Sequence, residues 1–302
     1  MSKRILFQFD SDPQPSSFDA VVAIDSDVDH LISHGNVQPT TVEPLVHGTM
    51  FTRGGQNLKN TAIFIGGSDV AIAENLLRCV TETFFGPVRV SVMMDANGCN
   101  TTAAAAVVAA SRHVTLAGSK AIVLGGTGPV GQRVARLLVQ EGATVSLTSR
   151  SLSRATAACE QICAQIAAKT ETSPDTCLKH LVPAMQSEGD AFDALIEDVQ
   201  IVVACGAAGV QLASNEALTK APALQVAIDL NAVPPAGLQG IGAMDKAKPL
   251  GESSSAVGYG PIGVGGLKMK THQAAVRSLF ERNDAVLNAE EIFALAKQVD
   301  TK

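Results

Sequence analysis

The sequence predicts an α/β protein of two domains, the second built on a doubly wound sheet. Apolar runs of strand length alternate with stretches of helical spacing along most of the 302 residues. Hydrophobic residues make up 46% and charged residues 17%, with no Trp and Tyr259 as the single tyrosine, so Ala, Val, Ile and Leu must build the core. A glycine-rich turn, Gly126-Thr127-Gly128-Pro129-Val130-Gly131, stands between a short strand and a helix.

Taken in order, 5–9, 20–24 and 61–65 read as strands. Val70, Ala73, Leu76, Leu77, Val80 and Phe84 then give 69–84 a helical stripe. Gly86-Pro87 ends that helix, and 88–94 reads as a buried strand. Asn100-Thr101-Thr102 can cap an Ala-rich helix over 103–111, which connects the domains. Beyond it, 121–124, 144–147, 201–204 and 224–230 read as strands, with helices over 129–140 and 155–169. The stretch 170–187 is ambiguous, although 180–182 can hold a strand. Pro234-Pro235 breaks the chain, 251–266 reads as a flexible Gly/Ser-rich segment, and 269–280 and 289–297 read as closing helices.

Composition excludes several classes. The formal charge of −6, without a basic tract, gives no footing for nucleic acid. No window holds 18 uninterrupted apolar residues, so no membrane span is expected, and the first ten residues read as a strand and not a signal-peptide core. A cytoplasmic protein is expected. The six cysteines form no Cys-x-x-Cys pair and read as small buried hydrophobes, not metal ligands or disulfides. His30 and His34 fall four apart, a spacing for one helix face, but no third ligand accompanies them and no metal is expected.

The glycine turn has the order that dinucleotide binding requires, so the second domain reads as a Rossmann domain. Gly126 is expected to make the tight turn, Gly128 to let a pyrophosphate approach the backbone, and Gly131 to let the helix pack on the strand. Thr127, Pro129 and Val130 complete the turn, and the helix start offers free N–H groups to phosphate. An NAD site usually ends the next strand in Asp or Glu. Here it ends in Ser149-Arg150-Ser151, with Arg154 a turn later, which suits a 2′-phosphate and makes NADP the expected cofactor. Cys205-Gly206-Ala207 and Asp229-Leu230-Asn231 follow later strands and are expected around the cofactor.

Five segments in order carry a more specific signal: Phe7-Gln8-Phe9-Asp10, Thr52-Arg53-Gly54-Gly55, the polar loop from Asp95 through Asn97 and Asn100 to Thr102, the glycine turn, and Gly265-Gly266-Leu267-Lys268. Together they resemble the bacterial NADP-dependent methylene-tetrahydromethanopterin dehydrogenases of one-carbon metabolism, over nearly the whole chain. The resemblance implies oxidation of a methylene group bridging two pterin nitrogens to a methenyl cation, as a step of formaldehyde oxidation, with tetrahydrofolate as an alternative carrier. It implies an N-terminal pterin domain over 1–102, a Rossmann NADP domain over 103–270, helices over 271–302 closing back across the domains, and a homo-oligomer, a trimer being the form suggested.

Lys268 matches the active-site lysine of that resemblance and is expected to orient the pterin. A cation there opposes a cationic product, so it is not expected to stabilise that product electrostatically. Asp10, Asp19, Arg53, Asp95, Asn97, Asn100 and Thr102 are the substrate-side candidates. The loop residues among them fit pterin or nicotinamide contacts and fit capping and turning of the loop equally. Since the product cation is shared by two nitrogens, no catalytic base is needed. A hydroxyl-oxidising dehydrogenase would want a Lys–Asp pair early in the chain, and Lys59 is the one lysine between Lys3 and Lys120, without an Asp in a pairing motif. Cyclohydrolase activity, which also needs an N-terminal lysine, is not expected. A non-catalytic NADP sensor is the alternative from another class.

Overall fold

The computed structural model describes residues 2–231, 233–251 and 254–301. The chain opens with β1 (Ile5–Asp10), α1 (Ser17–Ile24), β2 (His30–His34), α2 (Glu43–Met50), β3 (Thr61–Gly66), α3 (Val70–Thr83), β4 (Ser91–Met94) and α4 (Cys99–Ser111). There follow β5 (Lys120–Leu124), α5 (Pro129–Gln140), β6 (Thr144–Ser149), α6 (Leu152–Ala167), α7 (Pro174–Leu178) and β7 (Leu181–Met185). Next come α8 (Asp190–Ile196), β8 (Ile201–Ala204), α9 (Asn215–Lys220), β9 (Val226–Asp229), β10 (Lys248–Pro249) and β11 (Val257–Tyr259). It closes with α10 (Pro261–Ser278), β12 (Val286–Leu287) and α11 (Ala289–Asp300).

Two compact units result, one of Met1–Thr101 with Leu267–Lys302, the other of Thr102–Gly266. The chain passes between them inside α4 and again inside α10. The sequence boundaries were 102/103 and 270/271; the last stretch, read as a separate closing segment, groups with the N-terminal unit.

The first unit holds a wholly parallel sheet in the order β12-β4-β3-β1-β2. Every residue of β3 and β4 is buried, as a parallel sheet covered on both faces requires. α3 packs Val70, Ala73, Leu76, Leu77 and Val80 inward. Asp69 caps it, accepting from the amides of Ala71 and Ile72. Each such Leu or Val contributes about 1.5–3 kcal/mol by burial. The second unit has the order β10-β11-β9-β8-β5-β6-β7, parallel except for the edge strand β10. From β7 to β11 this is the doubly wound Rossmann order, and the sheet predicted for the second domain is the one observed.

Several local expectations are corrected. Residues 20–24 are helical: the Ser16 side chain accepts from the Asp19 amide and starts α1, and Val22 and Ala23 face inward while Val21 and Ile24 stay exposed. Local capping outweighs the apolar run. His30 and His34 lie in a strand, opposite Ile5 and Phe9 of β1, so their spacing does not give a helix face. β4 begins at Ser91, three residues late, because Phe85 and Val88 bridge across the turn first. The connector helix starts a turn early, at Cys99, under an Asp95 cap. The last six residues of the segment read as flexible are helical: α10 begins at Pro261, takes in Gly263, Gly265 and Gly266, and runs on through Lys268.

One cysteine pair departs from the buried-thiol expectation. Cys163 on α6 and Cys177 on α7 are joined in a disulfide, with Cα atoms 5.5 Å apart. A separation of 14 positions forms no short motif, so only the packing of α7 against α6 reveals the pair. Cys79, Cys99, Cys159 and Cys205 are free. Thiol titration of protein denatured without reductant is therefore expected to count four reactive groups, rising to six after reduction. A count of six at the outset would remove the bridge.

Candidate functional site

In open parallel sheets, ligands bind beyond the carboxyl ends of the strands where the strand order reverses. Each unit has one such point. In the second it lies between β5 and β8, and in the first between β1 and β3.

In the second unit a cleft of about 690 Å³ opens there, lined by Gly125, Thr127, Gly128, Ser149, Arg150 and Ser151 on one side and by Cys205, Gly206 and Ala207 on the other, with Arg154 and Gln186 nearby. The tight turn belongs to Gly125, not Gly126. Gly125 has φ +63°, and a Cβ on it would stand 2.6 Å from Gly206 Cα. Gly126 lies under Leu147, whose Cγ would be 2.8 Å from an added Cβ. Gly131 packs against Gly126 with room for no side chain, since its Cβ would be 2.7 Å from Gly126 Cα. Gly128 differs from these: a Cβ on it would meet nothing within 4 Å and would project into open space. Pro129 and Val130 form the first turn of α5, which carries no side-chain cap, so its leading N–H groups stay available.

Ser149 is buried and receives the Ser151 amide, and Ser151 caps α6 by accepting from the Arg154 amide. Arg150 and Arg154 are exposed, and they are the charged members of the cleft among the described residues. These observations fit a dinucleotide phosphate chain: an uncapped helix start, open space at Gly128, and two guanidiniums with no carboxylate beside them.

Gln186 was missed, because its strand lay in the ambiguous stretch. It accepts from the Thr148 hydroxyl and donates to Leu212 O, tying two walls of the cleft together. Cys205 is half-buried, its thiol pushed up to about 12 by desolvation and by Asp229, so it is a neutral, small wall and not a nucleophile. Asp229 and Asn231 take other work. Asp229 accepts from the amides of Asn231 and Leu238, and the Asn231 side chain donates to Ala207 O. They shape the loop that bears Ala207 and do not line the cleft.

The first unit gathers a charged cluster at its own reversal point. Asp10 ends β1, fully buried, and accepts from the amides of Asp12 and Ser16. A Cβ on Gly66, at the end of β3, would meet Asp10 Oδ2 at 3.2 Å and Asp19 Oδ2 at 3.7 Å. Asp95, just past β4, accepts from the amides of Asn100 and Thr101 and from the Thr101 hydroxyl at 2.6 Å. Burial still raises its carboxyl to about 6, against those bonds and the opposing pull of Lys268. Asp19 is also raised, first by burial.

Lys268 reaches this cluster from α10, with Nζ 5.9 Å from the centre of the Phe18 ring. One turn on, His272 is 2% exposed, stacked on Phe64 at 5.5 Å, with Nδ1 3.9 Å from Asp95 Oδ2. Desolvation lowers it to about 4, so the imidazole is neutral at neutral pH. The sequence reading missed His272, although its four-residue offset from Lys268 puts both on one helix face. It missed Ser11 as well, whose buried hydroxyl has no hydrogen-bond partner among the described residues and occupies the space a Gly67 side chain would need.

Not every candidate joins this cluster. Arg53 donates to Lys3 O and Asn60 O, at the opposite end of β1 from Asp10, where it holds the chain entering β1 and β3. The Asn100 amide donates to Met94 O and to Asn288 Oδ1, inside the fold. Asn97 is exposed and turns the loop at φ 51°, its amide donating to Gly67 O. Thr102 is half-buried within α4.

Sheet order and phosphate cradle together define the dinucleotide-binding α/β oxidoreductase class. A family model described as methylene-tetrahydromethanopterin dehydrogenase, N-terminal, matches residues 17–97. The chain is 42% identical over 302 residues to a protein of Methylorubrum extorquens named bifunctional protein MdtA, covering 99% of this chain and all of that one. It is 30% identical to the NAD(P)-dependent methylenetetrahydromethanopterin dehydrogenase of the same organism, covering 99% of each. The chain belongs to the methylene-tetrahydromethanopterin dehydrogenase family. Among solved structures it is similar in fold to ligand-free 5-ketofructose reductase of a Gluconobacter strain, at TM-score 0.54 and 14% identity over 99% of each chain. No helix among the described residues is long and apolar enough to cross a membrane.

Proposed function

We propose that the chain is an NADP-dependent methylene-tetrahydromethanopterin dehydrogenase, working in the cytoplasm as a homo-oligomer. The observation that carries the cofactor reading is the pairing of an uncapped glycine cradle with Arg150 and Arg154, unopposed by any carboxylate in that cleft among the described residues. The description of the matched family and the name of the second relative support the substrate.

In this reading Gly128 and the first turn of α5 hold the pyrophosphate, while Arg150, Arg154 and the serine hydroxyls grip the 2′-phosphate. When bound, NADP supplies the acceptor for the electron pair of the methylene C–H bond. Cys205, Gly206 and Ala207 leave room for the nicotinamide half. Asp10, Asp19, Asp95 and Lys268 hold the pterin, Lys268 orienting it. No residue needs to take a proton from carbon, because the adjacent nitrogens share the positive charge left behind. What the chain supplies is alignment at about 3–3.5 Å and exclusion of water.

The test is NADP reduction, followed by absorbance, with methylene-tetrahydromethanopterin and methylene-tetrahydrofolate in parallel and NAD as the second acceptor. Turnover with NADP and the methanopterin carrier is expected. Binding of NADP without turnover on either pterin would leave a nucleotide sensor and sink the dehydrogenase.

A further inference from the structure

The substrate cluster poses an electrostatic question that Lys268 makes sharper. Oxidising the methylene group breaks a C–H bond, and its electron pair leaves for the oxidised nicotinamide. A nitrogen lone pair then closes a C=N bond, so a neutral pterin becomes a cation with no proton released. A lysine ammonium nearby opposes that charge. Yet the cluster of Asp10, Asp19, Asp95, Lys268 and His272 holds three carboxyls against one ammonium, and the buried imidazole adds nothing to the positive side.

The three carboxyls are not equivalent. Asp10 is fully buried and takes two backbone amides. Asp95 is fully buried and takes two amides and a hydroxyl. Asp19 is half-buried, and among the described residues its carboxylate meets the Ser16 hydroxyl and no backbone amide. The Ser11 hydroxyl at the end of β1, partnerless among the described residues, marks the same edge of the sheet as one with unfilled hydrogen-bonding capacity.

We infer that Asp19 is the counter-charge of the cationic product, favouring the methenyl pterin over its neutral precursor. This rests on the methylene oxidation proposed above. Facing Asp19 are Asp10 from β1, Asp95 from beyond β4 and His272 from α10, while Lys268 acts on Asp95 and on His272. Phe18 and Phe64 are apolar neighbours of the two α10 side chains.

The experiment is a fluorescence titration of wild type and Asp19→Asn with methenyl-tetrahydromethanopterin, a cation, and with unbridged tetrahydromethanopterin, which is neutral at the reacting centre. NADP is titrated as a fold control. Asp19→Asn is expected to weaken the methenyl pterin by at least about tenfold, about 1.4 kcal/mol, and the neutral pterin by less than about twofold, with NADP unchanged. Asp19→Glu is expected to keep the preference for the cation. Equal weakening of both pterins, or of neither, would overturn the inference. Should Asp19→Asn lose NADP binding, Asp19→Glu decides, and loss of the cation preference there with NADP binding intact would overturn it. Wild type binding neither pterin would instead sink the substrate assignment, and the inference with it.

Discussion

Replacing Arg150 by serine is expected to lower kcat/KM for NADP by about 30- to 100-fold while leaving that for NAD within about threefold. A charge-assisted hydrogen bond contributes about 1.5–3 kcal/mol, and each 1.4 kcal/mol is about tenfold. Arg150 is exposed, so solvent screening keeps the figure below the top of that range, and Arg154 retains part of the grip. NAD lacks the 2′-phosphate and should not sense the change. Steady-state kinetics with both nucleotides measures the split. Equal losses for the two would mean that Arg150 acts on the loop and not on the phosphate.

The second large effect comes from the glycine turn, where two alanine substitutions should both lose the nucleotide but differ in stability. In Gly131→Ala the new methyl would lie 2.7 Å from Gly126 Cα and 2.7 Å from Gly126 O, and backbone cannot yield as a side-chain end can. α5 must lift from the strand, with a loss of about 1–3 kcal/mol in stability and of NADP affinity by about 100-fold or more. In Gly128→Ala the methyl meets nothing within 4 Å, so the fold should keep its Tm. The nucleotide should still be lost, because that methyl takes the space proposed for the pyrophosphate. Thermal unfolding and NADP titration of both variants check the pair. A Gly128→Ala protein that binds NADP normally would place the phosphates elsewhere.

The legible part of the molecule was the part with local rules. Strand, glycine turn and helix from 120 to 140 follow one another in sequence, and the Rossmann sheet could be read from them and from the runs that became β6, β8 and β9. The first unit was harder, because its sheet order depends on β2 and β12. β2 carries polar residues on both faces, His30 and His34 on one and Ser33 on the other, which hide its strand period. β12 has two residues and exists only because Val286 and Leu287 lie beside Val92 and Met93. Without them the reversal point between β1 and β3 could not be seen, nor could Ser11, Gly67 and His272 be drawn into the cluster. Asp95 and Lys268 stood out as polar groups in loops, Asp10 and Asp19 as acids near strand ends, and the resemblance added weight to Asp10, Asp95 and Lys268. Arg53 came from the same source, and contacts fifty residues away in sequence, at Lys3, assign it to the opposite sheet end.

The glycine-bearing stretch before Lys268 had the composition of a hinge, yet it is the first turns of one continuous helix, Pro261–Ser278. A helix fixes azimuth as well as distance: each residue advances the side chain by about 100°. A substitution at Gly265 or Gly266, where an added Cβ would meet nothing within 4 Å, leaves the bearing of Lys268 and His272 intact. A single-residue insertion or deletion between Lys268 and His272 would instead part the two side chains by about 100° around the helix. At Gly265 and Gly266 the helix is thus a ruler whose length is under tighter constraint than its spelling, whereas Gly263, packed against the Asp245 backbone, has no such freedom.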